Sequence, residues 1–332
     1  MKKFRTPQEG AGAALSLRST NTISSKPQTP PKAALDDFSG SAEGFIAAAQ
    51  SAATKRAYAS DLRHFLNHGG TLPATPAILA KYLARCAKML SVATLERRVT
   101  AIHKAHLEIS APSPALDIRV KRVLQGIRRT LGTKQQQAKP MLKDDVLSAL
   151  VLIDKQAPVK AARDRALLLV GFASAMRRSE LVAVRVEHLS ELAQGIEVFL
   201  PSSKTDQSRA GRIVFIPSAT GECCPVRELK RWLQLAAITE GYVFRAVTRH
   251  DKVAKTGLSA QSVALIVKAA VERAGGNPKH VSGHSLRAGY CTQAAMGGLQ
   301  PWQIREQTGH RSDMTLAKYI RSVAHRKIPS LL

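Results

Sequence analysis

The chain has 332 residues, 44% of them hydrophobic, enough for two domains with ordinary cores. Fifty Lys and Arg face twenty-four Asp and Glu, a formal charge of +26 that self-repels in a compact chain and that a polyanionic partner would relieve. No apolar run is long enough to span a bilayer and no signal-peptide core follows Met1-Lys2-Lys3, so a membrane partner is not expected and a cytoplasmic, nucleoid-associated protein is.

Residues 1–40 are rich in Ser, Thr, Pro and Gly without apolar periodicity, and read as a disordered tail. From 41 to 132 the pattern turns helical. Phe45, Ala48, Ala49, Ala53, Tyr58, Leu62 and Phe65 fall at three- and four-residue steps, and Gly69-Gly70 ends that run. Pro76 suits a first helical turn and leads into Leu79, Tyr82, Leu83 and Cys86. Thr94–Leu107 makes a third helix, and Pro114 introduces a fourth through Val120, Val123, Leu124 and Ile127. Basic residues outnumber acidic ones by more than two to one here. Lys55, Arg56, Arg97, Arg98, Arg128 and Arg129 are the candidates to meet phosphates.

Residues 133–140 form a polar linker, and a mixed domain occupies 141–332. Helices are expected at 143–154, 161–175, 178–186, 225–238, 259–274, 284–297, 301–308 and 313–320, with strands near 196–200 and 212–216. Cys86, Cys223, Cys224 and Cys291 have no metal-ligand or disulfide spacing and read as free thiols.

Phosphoryl transfer needs cations around the non-bridging oxygens, an in-line nucleophile and a proton for the leaving oxygen. The second domain carries Arg177-Arg178-Ser179-Glu180, Lys204 near a strand end, Gly283-His284-Ser285-Leu286-Arg287, Thr308-Gly309-His310 and Ala317-Lys318-Tyr319. Each motif alone is weak, since Arg-x-x-Glu is usually a surface helix pair and a late Tyr is usually packing. In this order and spacing they resemble the tyrosine recombinase family, the phage integrases with the Cre and Xer proteins. The resemblance covers about 140–325, and the helical segment follows it only in general shape. One departure is visible. The Thr-Gly that commonly precedes the first Arg is Ser174-Ala175 here.

The resemblance implies a mainly α fold with a small β-sheet: an all-helical core-binding domain and a mixed catalytic domain in a C-shaped clamp. It implies that Tyr319 attacks the scissile phosphate to leave a 3′-phosphotyrosine and a free 5′-hydroxyl. Arg177 and Arg287 clamp the phosphate, Lys204 protonates the 5′-oxygen, His284 handles the tyrosine proton and His310 donates a hydrogen bond to the phosphate. Glu180 orients the site. No metal or other cofactor is required. The partners implied are double-stranded DNA with a specific recombination site and three further copies of the chain, a homotetramer exchanging strands through a Holliday junction. Accessory proteins stay open, as does docking of the tail on a neighbour through Ile328, Leu331 and Leu332. A type IB topoisomerase shares the chemistry, and an idle DNA-binding protein would share the fold.

Overall fold

The computed structural model describes residues 42, 44–45, 49–133, 137–201, 211–314, 316–317 and 319. Lys204, the 1–40 tail and the C-terminal residues Ile328, Leu331 and Leu332 lie outside them. The described chain falls into two compact units, one within residues 27–137 and one within 138–332. Among the described residues no helix is long and apolar enough to cross a membrane.

Among the described residues the first unit carries four long helices: α1 (Ala52–Asn67), α2 (Pro76–Cys86), α3 (Val92–Glu108) and α4 (Ile118–Leu131). Each start is fixed by a side-chain cap: Ser51, Thr75, Ser91 and Asp117 accept backbone N–H bonds from the first turn. The Ser51 cap makes α1 begin later than the apolar pattern suggests, and Phe45 is exposed rather than part of its packed face. The core is one stripe from each helix, with Phe65, Leu79, Leu83, Leu95, Ile102, Val120 and Leu124 buried together. Gly70 is needed beside it, because a Cβ there would stand 2.5 Å from the Phe65 ring.

One polar knot crosses this core. The buried Asp61 accepts two bonds from Arg97, at 2.7 and 2.9 Å. Arg98, expected to meet phosphate, is buried instead. Its Nε lies 3.4 Å from Asp61, and Nη1 donates to Tyr82 Oη at 3.0 Å and sits 2.8 Å from His64 Nδ1. The position faces inward because Leu95, Arg98 and Ile102 lie on the same helix stripe. Arg128, exposed like Lys55, Arg56 and Arg129, pairs with Glu96 at 2.7 Å.

The second unit is built around α6 (Pro158–Ser174), which follows α5 (Lys143–Ile153) and is buried on every side from Ala161 to Gly171. Then come α7 (Arg178–Ala183) and an antiparallel sheet of β1 (Leu189–Leu192), β2 (Gly195–Leu200) and β3 (Arg212–Pro217). The β2–β3 register pairs Ile196 with Ile216 and Val198 with Val214, which puts these four residues in the core. The chain continues through α8 (Pro225–Leu235), a hairpin of β4 (Arg245–Val247) and β5 (Val253–Gly257), α9 (Ala260–Arg273), α10 (Ser285–Met296) and α11 (Pro301–Thr308). Helix α7 stops three residues short of expectation. Beyond it the backbone turns extended, Val184 O accepting from Val243 N and Gly241 O from Val186 N. β1 and the β4–β5 hairpin are additions to the expected strands; β1 is mostly exposed and β4 has only three residues, so neither prints a clear alternation.

Candidate active site

Arg177 sits at the N-cap of α7, straight after a left-handed corner. Ala175, buried at the end of α6, has φ 50° and ψ 22°. That conformation favours glycine, so the Ser174-Ala175 departure places a strained methyl at the turn that aims the first arginine. Glu180, three residues on, grips the same corner. Its Oε2 accepts the Arg177 backbone N–H at 3.0 Å and its Oε1 accepts Arg177 Nη1 at 2.6 Å. Burial pushes the Glu180 carboxyl up, but the bonds from Arg177 and the charge of Arg212 outweigh it and hold the group below the usual carboxylate range.

Arg287 projects from the first turn of α10 and is 1% exposed. Its Nη1 donates to the carbonyls of Ala175 at 2.8 Å and Thr308 at 2.7 Å, joining the Arg177 corner to the end of α11. Its Nε and Nη2 have no hydrogen-bond partner among the described residues. This edge of the guanidinium fork fits two oxygens of a phosphate, and leaving it unpaired costs about 1–3 kcal/mol per buried donor. Burial, with Arg177 alongside, lowers the Arg287 pKa to about 10, so it stays charged at neutral pH.

The start of α10 is held by backbone. Met141 N donates to Ser285 O at 3.0 Å and Lys139 N to His280 O at 2.7 Å. Gly289 permits this strap, since a Cβ there would lie 1.6 Å from Met141 O. His284, at the N-cap, thereby has its Nε2 2.6 Å from Tyr319 Oη. Desolvation and the charges of Arg287, Arg177 and Arg178 lower the His284 pKa, which favours the neutral ring. Tyr319 is half-buried against Cys291, Ile304 and Leu316; burial raises its pKa and Arg287 only partly opposes that. A protonated phenol therefore meets a neutral imidazole at hydrogen-bonding distance, the relation of a weak nucleophile to its base.

His310 follows the left-handed cap Gly309 (φ 67°) at the end of α11. Its ring lies 5.6 Å from that of Tyr319, centroid to centroid, and its pKa falls to about 3, through burial first and then the charge of Arg287. Nδ1 lies 2.8 Å from Thr308 Oγ1, whose hydroxyl donates to Ile304 O at 2.6 Å. A neutral His310 thus places its proton on Nδ1, and Nε2 becomes a donor only if the Thr308 hydroxyl rotates or an anion draws a second proton to the ring.

Arg177, Glu180, His284, Arg287, His310 and Tyr319 therefore share one neighbourhood; Lys204 falls between the end of β2 and the start of β3, outside the described residues. Sequence reasoning missed Arg212. It opens β3, and its partners Glu180 and Gln307 lie 32 and 95 residues away in sequence, so no local pattern marks it. Among the described residues no group of three or more His, Cys, Asp or Glu could hold a metal ion.

A corner-held Arg, a second buried Arg with an unmatched fork and a His–Tyr pair in hydrogen-bond contact are brought together in one neighbourhood, an arrangement with the groups phosphoryl transfer needs. Residues 140–326 match the phage integrase family. The chain is 39% identical over 276 residues to an integrase/recombinase xerD homolog from Selenomonas ruminantium, covering 80% of this chain and 81% of that one. It is 22% identical over 276 residues to the recombinase cre of Escherichia phage P1, covering 78% and 79%. In fold it is similar to a lambda integrase tetramer bound to a Holliday junction, with TM-score 0.59 at 14% identity, covering 87% of this chain and 76% of that one. The chain belongs to the phage integrase family: it is a site-specific tyrosine recombinase, an enzyme of DNA strand breakage and rejoining.

Proposed function

We propose that Tyr319 is the nucleophile and that the enzyme works on a specific duplex site through a 3′-phosphotyrosine. The observation that carries this reading is the 2.6 Å contact between Tyr319 Oη and His284 Nε2, beside the unmatched edge of Arg287. Tyr319 Oη attacks phosphorus while its proton passes to His284. The bond from phosphorus to the 5′-oxygen breaks, and Lys204 gives that oxygen its proton, leaving a free 5′-hydroxyl. Arg177 and Arg287 hold the non-bridging oxygens, whose charge either draws a second proton from solvent onto His310 Nε2 or favours the tautomer with its proton on Nε2, the Thr308 hydroxyl turning to donate to Nδ1. Attack by a 5′-hydroxyl from a second duplex reverses the step and exchanges the strands. The energy of the broken ester is kept in the phosphotyrosine.

In the helical unit, Lys55, Arg56 and Arg129 are the phosphate contacts of this reading, because they are exposed and pair with no carboxylate among the described residues. Arg97 and Arg128 reach carboxylates first. The assembly is a homotetramer passing through a Holliday junction, by analogy with the lambda integrase tetramer of the same fold. A library of nicked duplexes of random sequence tests the whole reading. Adducts that survive denaturant are isolated and their DNA sequenced; the wild type should yield adducts sharing one motif, and Tyr319→Phe none. Adducts formed by the Phe variant would remove Tyr319 from the role, and trapped sequences without a motif would indicate relaxation rather than site-specific exchange.

A further inference from the structure

We propose that Arg212 is a positioning residue of this site: from the first position of β3 it fastens the Glu180 carboxylate that aims Arg177 to the backbone that presents His310. The proposal rests on the recombinase reading above. Arg212 Nη2 donates to Glu180 Oε2 at 3.1 Å, and Nη1 donates to the Gln307 carbonyl at 2.9 Å. Its Nε packs on Gly309, where a Cβ would stand 2.9 Å away, so the left-handed glycine that precedes His310 has no room for a side chain. Gln307 returns the connection, its Nε2 donating to Phe215 O at 2.6 Å on β3 and to Ala173 O at 3.1 Å near the end of α6. Three elements that share no local sequence, α6, β3 and the end of α11, are tied at one point.

The charge arrangement explains why an arginine stands here. Glu180 is a single carboxylate between two guanidiniums, each with a side chain 17% exposed. With Arg212 present, Oε2 is shared and Glu180 holds Arg177 through Oε1 and one backbone bond. Without it the whole carboxylate turns to Arg177, and the guanidinium is drawn from the phosphate toward Glu180. A lysine cannot replace it, because one ammonium on a flexible stem does not reproduce the planar fork that serves Glu180 and the Gln307 carbonyl together. Arg212 needs no contact with DNA for this role, since both of its Nη groups are engaged within the protein.

The test uses full-length protein and the nicked duplex selected above, with the single-turnover rate of adduct formation as readout. Arg212→Lys and Arg212→Met should slow adduct formation by about 10- to 100-fold, the scale expected from displacing a reacting group by about an ångström. DNA affinity should stay within about threefold of wild type. The decisive measurement is a cycle with Glu180→Gln. If Arg212 acts by restraining Glu180, the double variant should cleave about as fast as Glu180→Gln alone. If Arg212→Met does not fold, as judged by its thermal melt, the cycle is run with Arg212→Lys, which keeps the charge. Wild-type rates in both Arg212 variants would overturn the proposal, as would equal slowing by Arg212→Met with and without the Glu180 charge. A wild-type enzyme that forms no adduct would instead overturn the recombinase chemistry on which the proposal stands.

Discussion

Each unit holds a buried arginine, and the two are answered differently. In the helical unit the buried cation Arg98 is answered inside the fold by Asp61, Tyr82 and His64, so its charge serves packing and register. In the catalytic unit Arg287 is buried at least as deeply, yet two of its donors have no partner among the described residues. A buried polar group left unpaired is costly and persists only where something else repays the cost. A phosphate is that something in the proposed chemistry. The comparison teaches that burial alone does not mark a functional cation: Arg98 and Arg287 are told apart by how many of their donors the fold itself answers.

The largest effect that sharpens this contrast lies at Lys204. Lys204→Ala should slow cleavage of a normal phosphodiester by about two to four orders of magnitude, and a 5′-bridging sulfur, which leaves without that proton, should restore the rate. Equal defects on both substrates would break the assignment.

Next comes pH. In the proposed chemistry His284 accepts the phenol proton and must be neutral to do so, and its pKa lies below the ordinary 6.5. Sign follows from this: cleavage should be flat from pH 8 to about 6.5 and fall, at its steepest, about tenfold per pH unit once the folded-state pKa is passed. His284→Gln should be slow but lose that acid limb, measured by adduct formation from pH 4.5 to 8. Stability moves the same way for His310: its folded pKa of about 3 lies below the unfolded value, so stability present above pH 6.5 is lost as pH falls toward 3.

The helical unit gives a smaller and different response. Arg98→Ala should destabilise it by about 2–3 kcal/mol, because Tyr82 and His64 lose a charged donor while Asp61 keeps Arg97. Arg129→Ala should leave the melt unchanged and reduce the slope of log affinity against log salt by about 0.9. A salt-slope change from Arg98→Ala in still-folded protein would break the division between packing and phosphate-facing cations.

The smallest effect concerns the strained corner. Ala166 and Ala175 are both fully buried, but Ala166 lies in the middle of α6 and Ala175 in the left-handed turn. Replacing either with glycine removes the same methyl. The helix position loses propensity of about 1 kcal/mol, whereas the turn recovers strain of about 1–2 kcal/mol. The two variants should differ by about 2 kcal/mol in thermal or denaturant unfolding, Ala175→Gly being the more stable. Equal losses would show that Ala175 bears no strain.

Local chemistry decides what a sequence can show by itself. The helix starts at Pro76, Pro225 and Pro301 and the paired strands at 196–200 and 212–216 were legible because caps, prolines and two-residue alternation act within a few residues. The order Arg177, His284, Arg287, His310, Tyr319 was legible too, since each motif is a short chemical word. Arg98 was misread because a charge on an inward helix stripe looks like any other cation until Asp61, 37 residues away, is brought against it. Arg212 and the unmatched fork of Arg287 were invisible for the same reason: their meaning is a set of distances to Glu180, Gln307, Ala175 and Thr308, and only packing supplies those. The amino-acid order fixed which chemical groups the enzyme owns; the tertiary structure decided which of their hydrogen bonds are satisfied within the protein and which remain unmet, because that depends on contacts between residues far apart in the chain.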